Sequence, residues 1–289
     1  MTWFTFAVLA ALAGSLLDIC SKRASRSVHP LIVSWAWTLL SLPVLIPLAL
    51  QAGLPEIGSS YGPALIAATI LFTVNSILYV KAISVSDLSL TVPIANFTPI
   101  FILFLTGPLI LSESPTWAGL AGVGLIVFGT YTLNTSDTNK GFFAPFKAAM
   151  RQSGPRWMLL VAFSFSITAP IEKIGILDSS PLFWAATQHT AVALVMLPVL
   201  VWRREPGLAQ QLRSRFPLLL LIGVIVAFAV IFQTTALAHG PVAYVIAIKR
   251  CGILLSVFVG WHFFGEGSFK RRLAGTVIML AGVAVIATQ

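Results

Sequence analysis

Residues 113–129 read ESPTWAGLAGVGLIVFG, and residues 266–282 read EGSFKRRLAGTVIMLAG. In both, a glutamate is followed by glycines nine and sixteen positions on: Glu113 by Gly122 and Gly129, Glu266 by Gly275 and Gly282. The glycines of each pair stand two helical turns apart, so they share one face of an apolar helix. The register extends backward from there. Lys22 and Lys173 each end the first helix of their half, about ninety residues before its glutamate, and Ala82-Ile83 and Ala236-Leu237 end the third, about thirty residues before it. The chain is therefore read as two copies of one unit.

Around this repeat the sequence is almost wholly apolar. Of its 289 residues 57% are hydrophobic and 9% charged, with a mean hydropathy of +0.94. A soluble domain carries about 25% charged residues, so this chain cannot cover its own surface with polar groups. A helix needs about 20 apolar residues to cross the hydrocarbon core. Runs of that length occur at 2–20, 30–51, 61–83, 88–111, 115–134, 157–174, 181–201, 215–238, 241–264 and 269–288. The expected fold is an all-α polytopic membrane protein with ten transmembrane helices. Segment 2–20 has neither a basic stretch before it nor a small-residue cleavage site after it, so it reads as a retained helix. The domain organisation follows as an N-terminal five-helix repeat over 1–138, a polar linker over 139–156 and a C-terminal five-helix repeat over 157–289. Five is odd, so the second repeat enters the membrane from the opposite side. Inverted repeats belong to alternating-access transporters, whose site lies at the midplane between the repeats.

Ten spans, a five-plus-five repeat, Glu113 and Glu266 before the fifth and tenth helices and the spaced glycines after them resemble the EamA family of the drug/metabolite transporter superfamily. The resemblance covers nearly the whole chain. It implies the ten-helix inverted-repeat fold and transport of a small molecule, and it says almost nothing of the substrate.

The net charge of +9 and pI near 10.1 would, in a soluble protein, suggest nucleic acid. Here the 18 Lys and Arg are sorted by membrane side. The odd-numbered connections hold fifteen of them, from Lys22, Arg23 and Arg26 to Lys270, Arg271 and Arg272, and the even-numbered ones hold Lys173 alone. By the positive-inside rule the odd connections are cytoplasmic and both termini lie outside, in a bacterial inner (cell) membrane. No basic face is left for nucleic acid. Cys20 and Cys251 both fall in apolar contexts and point to neither a disulfide framework nor a metal cage.

The two remaining cations, Lys249 and Arg250, lie about eight residues inside the ninth run, some 12 Å along a helix at 1.5 Å per residue. A charge this deep costs at least about 2.5 kcal/mol, so a pair points to an anion-accepting, water-filled cavity, or else to the end of a broken helix. On a helix Lys249, Gly252, Ser256 and Gly260 form one small, polar stripe that would line a cavity, which makes Lys249 the favoured substrate contact over Arg250, with Ser256 a further candidate. The pair followed by Ser256 also resembles the triose-phosphate translocator branch of the superfamily, which implies a phosphate-gripping role for Lys249 and Arg250.

Pro93 and Pro99 flank Asn96 in the fourth run and should bend or break that helix beside a cavity. Asn96 matches Arg250 in repeat register to within a residue. Gln188 and His189 in the seventh run, Asn75 and Tyr79 in the third, Trp35 in the second and Gln233 in the eighth complete the candidate substrate-binding set. Each has a packing alternative, either an interhelical hydrogen bond or an interfacial aromatic belt. Lys22 with Asp18, and Lys173 with Glu172, end the first and sixth helices. Their symmetric placement makes them gating or coupling candidates, against interfacial snorkelling. Glu113 and Glu266 are read as helix-start carboxylates and the glycine faces as packing surfaces between the halves or within a homodimer.

These features point to a secondary transporter moving a small polar, anionic or zwitterionic metabolite by alternating access. A flippase for a lipid-linked phosphate or sugar headgroup is the alternative on the same fold. An enzyme is not expected, because there is no nucleophile elbow, His-carboxylate cluster or metal-ligand spacing, and no cofactor is implied. The expected partners are the small-molecule substrate and the lipid bilayer. A multidrug exporter of the small type is disfavoured, since no carboxylate is expected at mid-helix.

Overall fold

The computed structural model describes residues 3–25, 27–84, 94, 97–134, 153–202, 208–252, 254–255 and 269–289. The described elements are helical. In chain order they are α1 (Trp3–Ala24), α2 (Pro30–Gln51), α3 (Tyr61–Ser84), α4 (Thr98–Phe101) running into a π-helix (Ile102–Leu111), α5 (Trp117–Asn134), α6 (Ser153–Leu177), α7 (Pro181–Trp202), α8 (Leu208–Ser214), α9 (Phe216–His239), α10 (Val242–Arg250) and α11 (Phe269–Ala287). Six are long and apolar enough to cross a membrane: α1, α2, α3, α6, α7 and α9. Their apolar faces point outward as well as inward, with Ile66, Leu194 and Val201 all more than half exposed. A helix that stays hydrophobic on its open side is solvated by lipid. The chain is an integral, multi-pass membrane protein. Three shorter apolar helices, Thr98–Leu111, Trp117–Thr132 and Ala274–Ala287, accompany the six, and the count of ten spans rests on sequence.

Packing divides the chain into two compact units, each drawing on both halves: Met1–Ser76 with Ile171–Gly240, and Ile77–Pro170 with Pro241–Gln289. In the first, α9 packs on α1, α2 and α7, and α2 on α7. Alanines make this closeness possible: Ala49, Ala185, Ala186 and Ala227 gather around Leu45. Gly223 of α9 lies on the Leu40 carbonyl of α2, where a Cβ would come within 2.5 Å of the oxygen. Trp184 is fully buried over Gly175 and meets the Tyr61 ring edge-on at 5.8 Å.

The second unit is built on α5 and α11, the helices that carry the repeated glycines. A Cβ at Gly282 would stand 2.6 Å from the Gly122 carbonyl, and one at Gly129 2.7 Å from the Gly275 carbonyl. The glycine faces therefore join one helix of each half, the packing role read from their spacing. α10 lies against α5, α4 and the π-helix.

Three elements depart from expectation. In the described part of the fourth run, α4 covers Thr98–Phe101 and then widens into a π-helix that contains Pro108. Proline has no N–H to give and crowds the carbonyl four residues back, and a wider turn relieves both. This segment ends at Ser112, which adopts a left-handed conformation (φ 55°). The ninth run is not one continuous helix. α10 stops at Arg250, and the N–H groups of Cys251 and Gly252 turn back to the Ile248 and Lys249 carbonyls three residues earlier. That tightened turn interrupts the Lys249–Gly252–Ser256–Gly260 stripe, whose last two residues lie outside the described set. Finally, α6 begins at Ser153, inside the expected linker, because Pro155 is tolerated in a first helical turn.

Candidate functional site

In the first unit, α6 brings a carboxylate among apolar helices. Glu172 is 8% exposed and lies about 8 Å along the axis from the end of α6. Gln188 enters from α7 and donates its Nε2 to Oε1 of Glu172 at 3.0 Å. Gln233 enters from α9 and donates its Nε2 to Oε2 at 3.4 Å. Three residues far apart in sequence, each a separate candidate, thus form one cluster on three helices. Sequence makes Glu172 a gating or coupling candidate, with interfacial snorkelling as the alternative. In the structure it is buried and hydrogen-bonded inward.

The neighbouring positions are equally engaged. Lys173 Nζ donates to the Gly240 carbonyl at 2.8 Å, at the C-terminal end of α9 where peptide dipoles leave negative charge. Adjacent residues of α6 therefore hold α9 at two points, one by the carboxylate and one by the ammonium. His189, buried next to Gln188, has its Nδ1 2.8 Å from Ser41 Oγ of α2. Trp35 is buried and donates Nε1 to the Ala193 carbonyl at 3.0 Å, which ties α2 to α7. Asn75 is fully buried on α3. Asp18 is exposed on α1, and the side chain of Lys22 lies outside the described set. Ser41, flanked by leucines in an apolar run, carried no sequence signal of its partnership with His189.

The second unit holds the cationic pair. Residues Val242–Ile248 of α10 are all buried, and the next two, Lys249 and Arg250, are partly open. They form the last turn of the helix, where cations complement the negative end of the dipole. Arg250 Nη2 stands 3.5 Å from Thr98 Oγ1, the first residue of α4. The opposite end of α10 is held by Glu113, whose Oε2 accepts from the Val242 N–H at 3.0 Å. Glu113 is thus a helix-start carboxylate, as read from sequence, but for α10 and not for the helix that follows it. That helix, α5, is capped by Thr116, whose Oγ1 accepts from Gly119 N–H at 3.0 Å. Tyr244 reaches the same corner, where its hydroxyl accepts from the Thr116 N–H at 3.2 Å. A small cavity lined by Glu113, Pro108, Gly107 and Tyr244 lies beside the π-helix. Tyr79, 37% exposed, lies one helical turn beyond Asn75 on α3, in the part of that helix that belongs to this unit. Asn96 and Ser256 lie outside the described residues, as does Glu266.

The EamA-like transporter family matches residues 1–135 and 152–288, once in each half. A solved crystal structure, of a chain described only as a protein, aligns with a TM-score of 0.78 at 15% identity, covering 99% of this chain and 96% of that one. At that identity the likeness speaks for the fold alone. Comparison with curated proteins finds no match.

Proposed function

We propose a transport mechanism that starts from one premise: the chain belongs to the EamA-like transporter family. It is a membrane transporter of the drug/metabolite superfamily, and we infer that its substrate is a small anionic or zwitterionic metabolite carried by alternating access. The observation that carries this reading is the end of α10. Seven buried residues deliver Lys249 and Arg250, side by side, to a partly open position inside an apolar run. A helix C-terminus offers roughly half a negative charge, so two full positive charges leave the turn net positive. A carboxylate or phosphate group on the substrate would complement that positive turn.

Lys249 is the primary contact in this reading, with Arg250 held near Thr98 to orient the anion. The remaining candidates of this unit, Asn96, Ser256 and Tyr79, are cavity-wall groups in the same proposal. The charge asymmetry of the connections supports a placement of both termini outside the cell membrane.

The test is a thermal-stability screen of purified protein with phosphorylated metabolites, amino acids and organic cations. Protection by anionic compounds that disappears in Lys249→Ala, with the variant still inserted and folded, is the expected result. Protection by organic cations alone, or equal protection of the variant, would sink the anion assignment. A reporter fused after Gln289 that is active only in the cytoplasm would reverse the orientation.

A further inference from the structure

Glu172 has no part in the anion contact above, yet it occupies a position that an apolar bundle does not give to a carboxylate without a use. It is 8% exposed, and both oxygens meet amide N–H groups from other helices, at 3.0 Å from Gln188 and 3.4 Å from Gln233. Gln188 lies about 10 Å in from the start of α7 and Gln233 about 9 Å from the end of α9, so the three groups meet at one depth. If the cluster served only to hold helices together, a third neutral amide would do so without the cost of placing a charge there.

The choice of partners distinguishes this cluster further. A glutamine amide is both donor and acceptor. Facing an ionised carboxylate, Gln188 and Gln233 both present Nε2, as seen in the structure. Facing a protonated carboxyl, one of them can turn over and offer Oε1 to the new O–H, while the other keeps its N–H on the carbonyl oxygen. The cluster is therefore satisfied in either protonation state, which lysine, arginine or backbone N–H partners would not permit. Both oxygens are already engaged and the carboxylate is buried, so a proton is the cation that fits.

We propose that Glu172, with Gln188 and Gln233, is a proton-binding site that couples the transport cycle to the proton gradient. The coupling rests on the transporter reading above; the proton site itself does not. A hydronium ion from one side gives its proton to a carboxylate oxygen and leaves water, and the reverse transfer releases the proton to the other side. Because the amides come from α7 and α9, a shift of either helix against α6 changes how well each protonation state is satisfied, and this links the proton to conformation.

Other titratable and charged groups share the helices of this unit, among them Arg213 of α8. Lys173 of α6 is on the Gly240 carbonyl, His189 of α7 on Ser41 and His239 at the end of α9 on the Thr235 carbonyl. α1 carries Asp18, Cys20, Lys22 and Arg23, α3 carries Tyr61 on Thr187, and α2 carries none.

The experiment compares the purified wild-type protein with Glu172→Gln, in which an amide keeps the helix contacts. Acid-minus-neutral infrared difference spectra should show a protonated-carboxyl band in the wild type that is missing from the variant. Identical spectra would overturn the proton site. As a measurement on the wild type alone, dicyclohexylcarbodiimide, which adds to protonated carboxyls, should modify Glu172 to an extent that falls as the pH is raised. Modification independent of pH would overturn it too. In proteoliposomes with inorganic phosphate as the probe, Glu172→Gln should keep phosphate exchange and lose accumulation driven by an imposed pH gradient. Accumulation equal to wild type would overturn the coupling. A wild-type protein that moves no phosphate would count against the anion reading, and the spectra alone would then decide the proton site.

Discussion

The Glu113 carboxylate accepts the backbone N–H of Val242 across 129 positions of sequence, which puts the cap of one helix in the connection before another. Its charge sits at the positive end of α10, the helix whose last turn carries Lys249 and Arg250. The cap therefore fixes the end of the element that positions the cationic pair.

Glu113→Ala should lower stability by about 0.5–2 kcal/mol, the range for losing a helix cap. Glu113→Gln keeps an acceptor and should lose less. Thermal midpoints of the two purified variants in one detergent check the order, which a purely electrostatic role for Glu113 would not give.

Two glycines of the fifth and eleventh helices should respond to the same substitution with opposite sign. Gly282→Ala forces a methyl to within 2.6 Å of the Gly122 carbonyl, and overpacking of this kind costs about 1–3 kcal/mol. At Gly124 of α5 a Cβ meets nothing within 4 Å. Gly124→Ala should therefore stabilise by about 0.4–1 kcal/mol by removing freedom from the unfolded chain. Melting both variants side by side tests this, and a loss at Gly124 equal to that at Gly282 would argue against the close α5–α11 contact.

Ser41→Ala should cost about 1–3 kcal/mol, because it leaves the buried His189 ring without its hydroxyl partner. Replacing both, as Ser41→Ala with His189→Phe, should recover part of that loss. A double-mutant cycle on thermal stability reads the coupling directly.

Lys173→Met keeps the length of the side chain and removes its charge-assisted bond to the Gly240 carbonyl, a loss of about 1.5–3 kcal/mol. The effect should be local. Hydrogen exchange of the last turn of α9 should accelerate while exchange in α5 and α11 stays unchanged.

The long helices were legible because their boundaries are chemical. Pro30 and Pro181 open α2 and α7 where the apolar runs begin, and the observed ends at Gln51 and Trp202 fall at the runs' ends to within a residue. The glycine repeat likewise announced its own contact, since two small residues on one face serve close approach and little else. What escaped sequence was backbone register. Nothing local to Ile102–Leu111 separates a π-helix from an α-helix except Pro108, and prolines at 43, 47, 170 and 198 sit inside α-helices. The end of α10 at Arg250 was visible only as an alternative, because one apolar run continues past it. The Glu172 cluster was legible as three separate polar residues. Its assembly depends on which faces of α6, α7 and α9 meet, and that is decided by packing.

The interleaving of the two compact units has a consequence for how the protein is made. The partner of α5 is α11, which begins 135 positions after α5 ends (269 − 134), and the segment that completes the second unit begins only at Pro241. At about 5–20 residues per second, α5 waits on the order of ten seconds or more in the membrane with its glycine face uncovered. Neither half of the chain encodes a finished unit, so a chain that stops after the first repeat has the packing partners of neither unit complete.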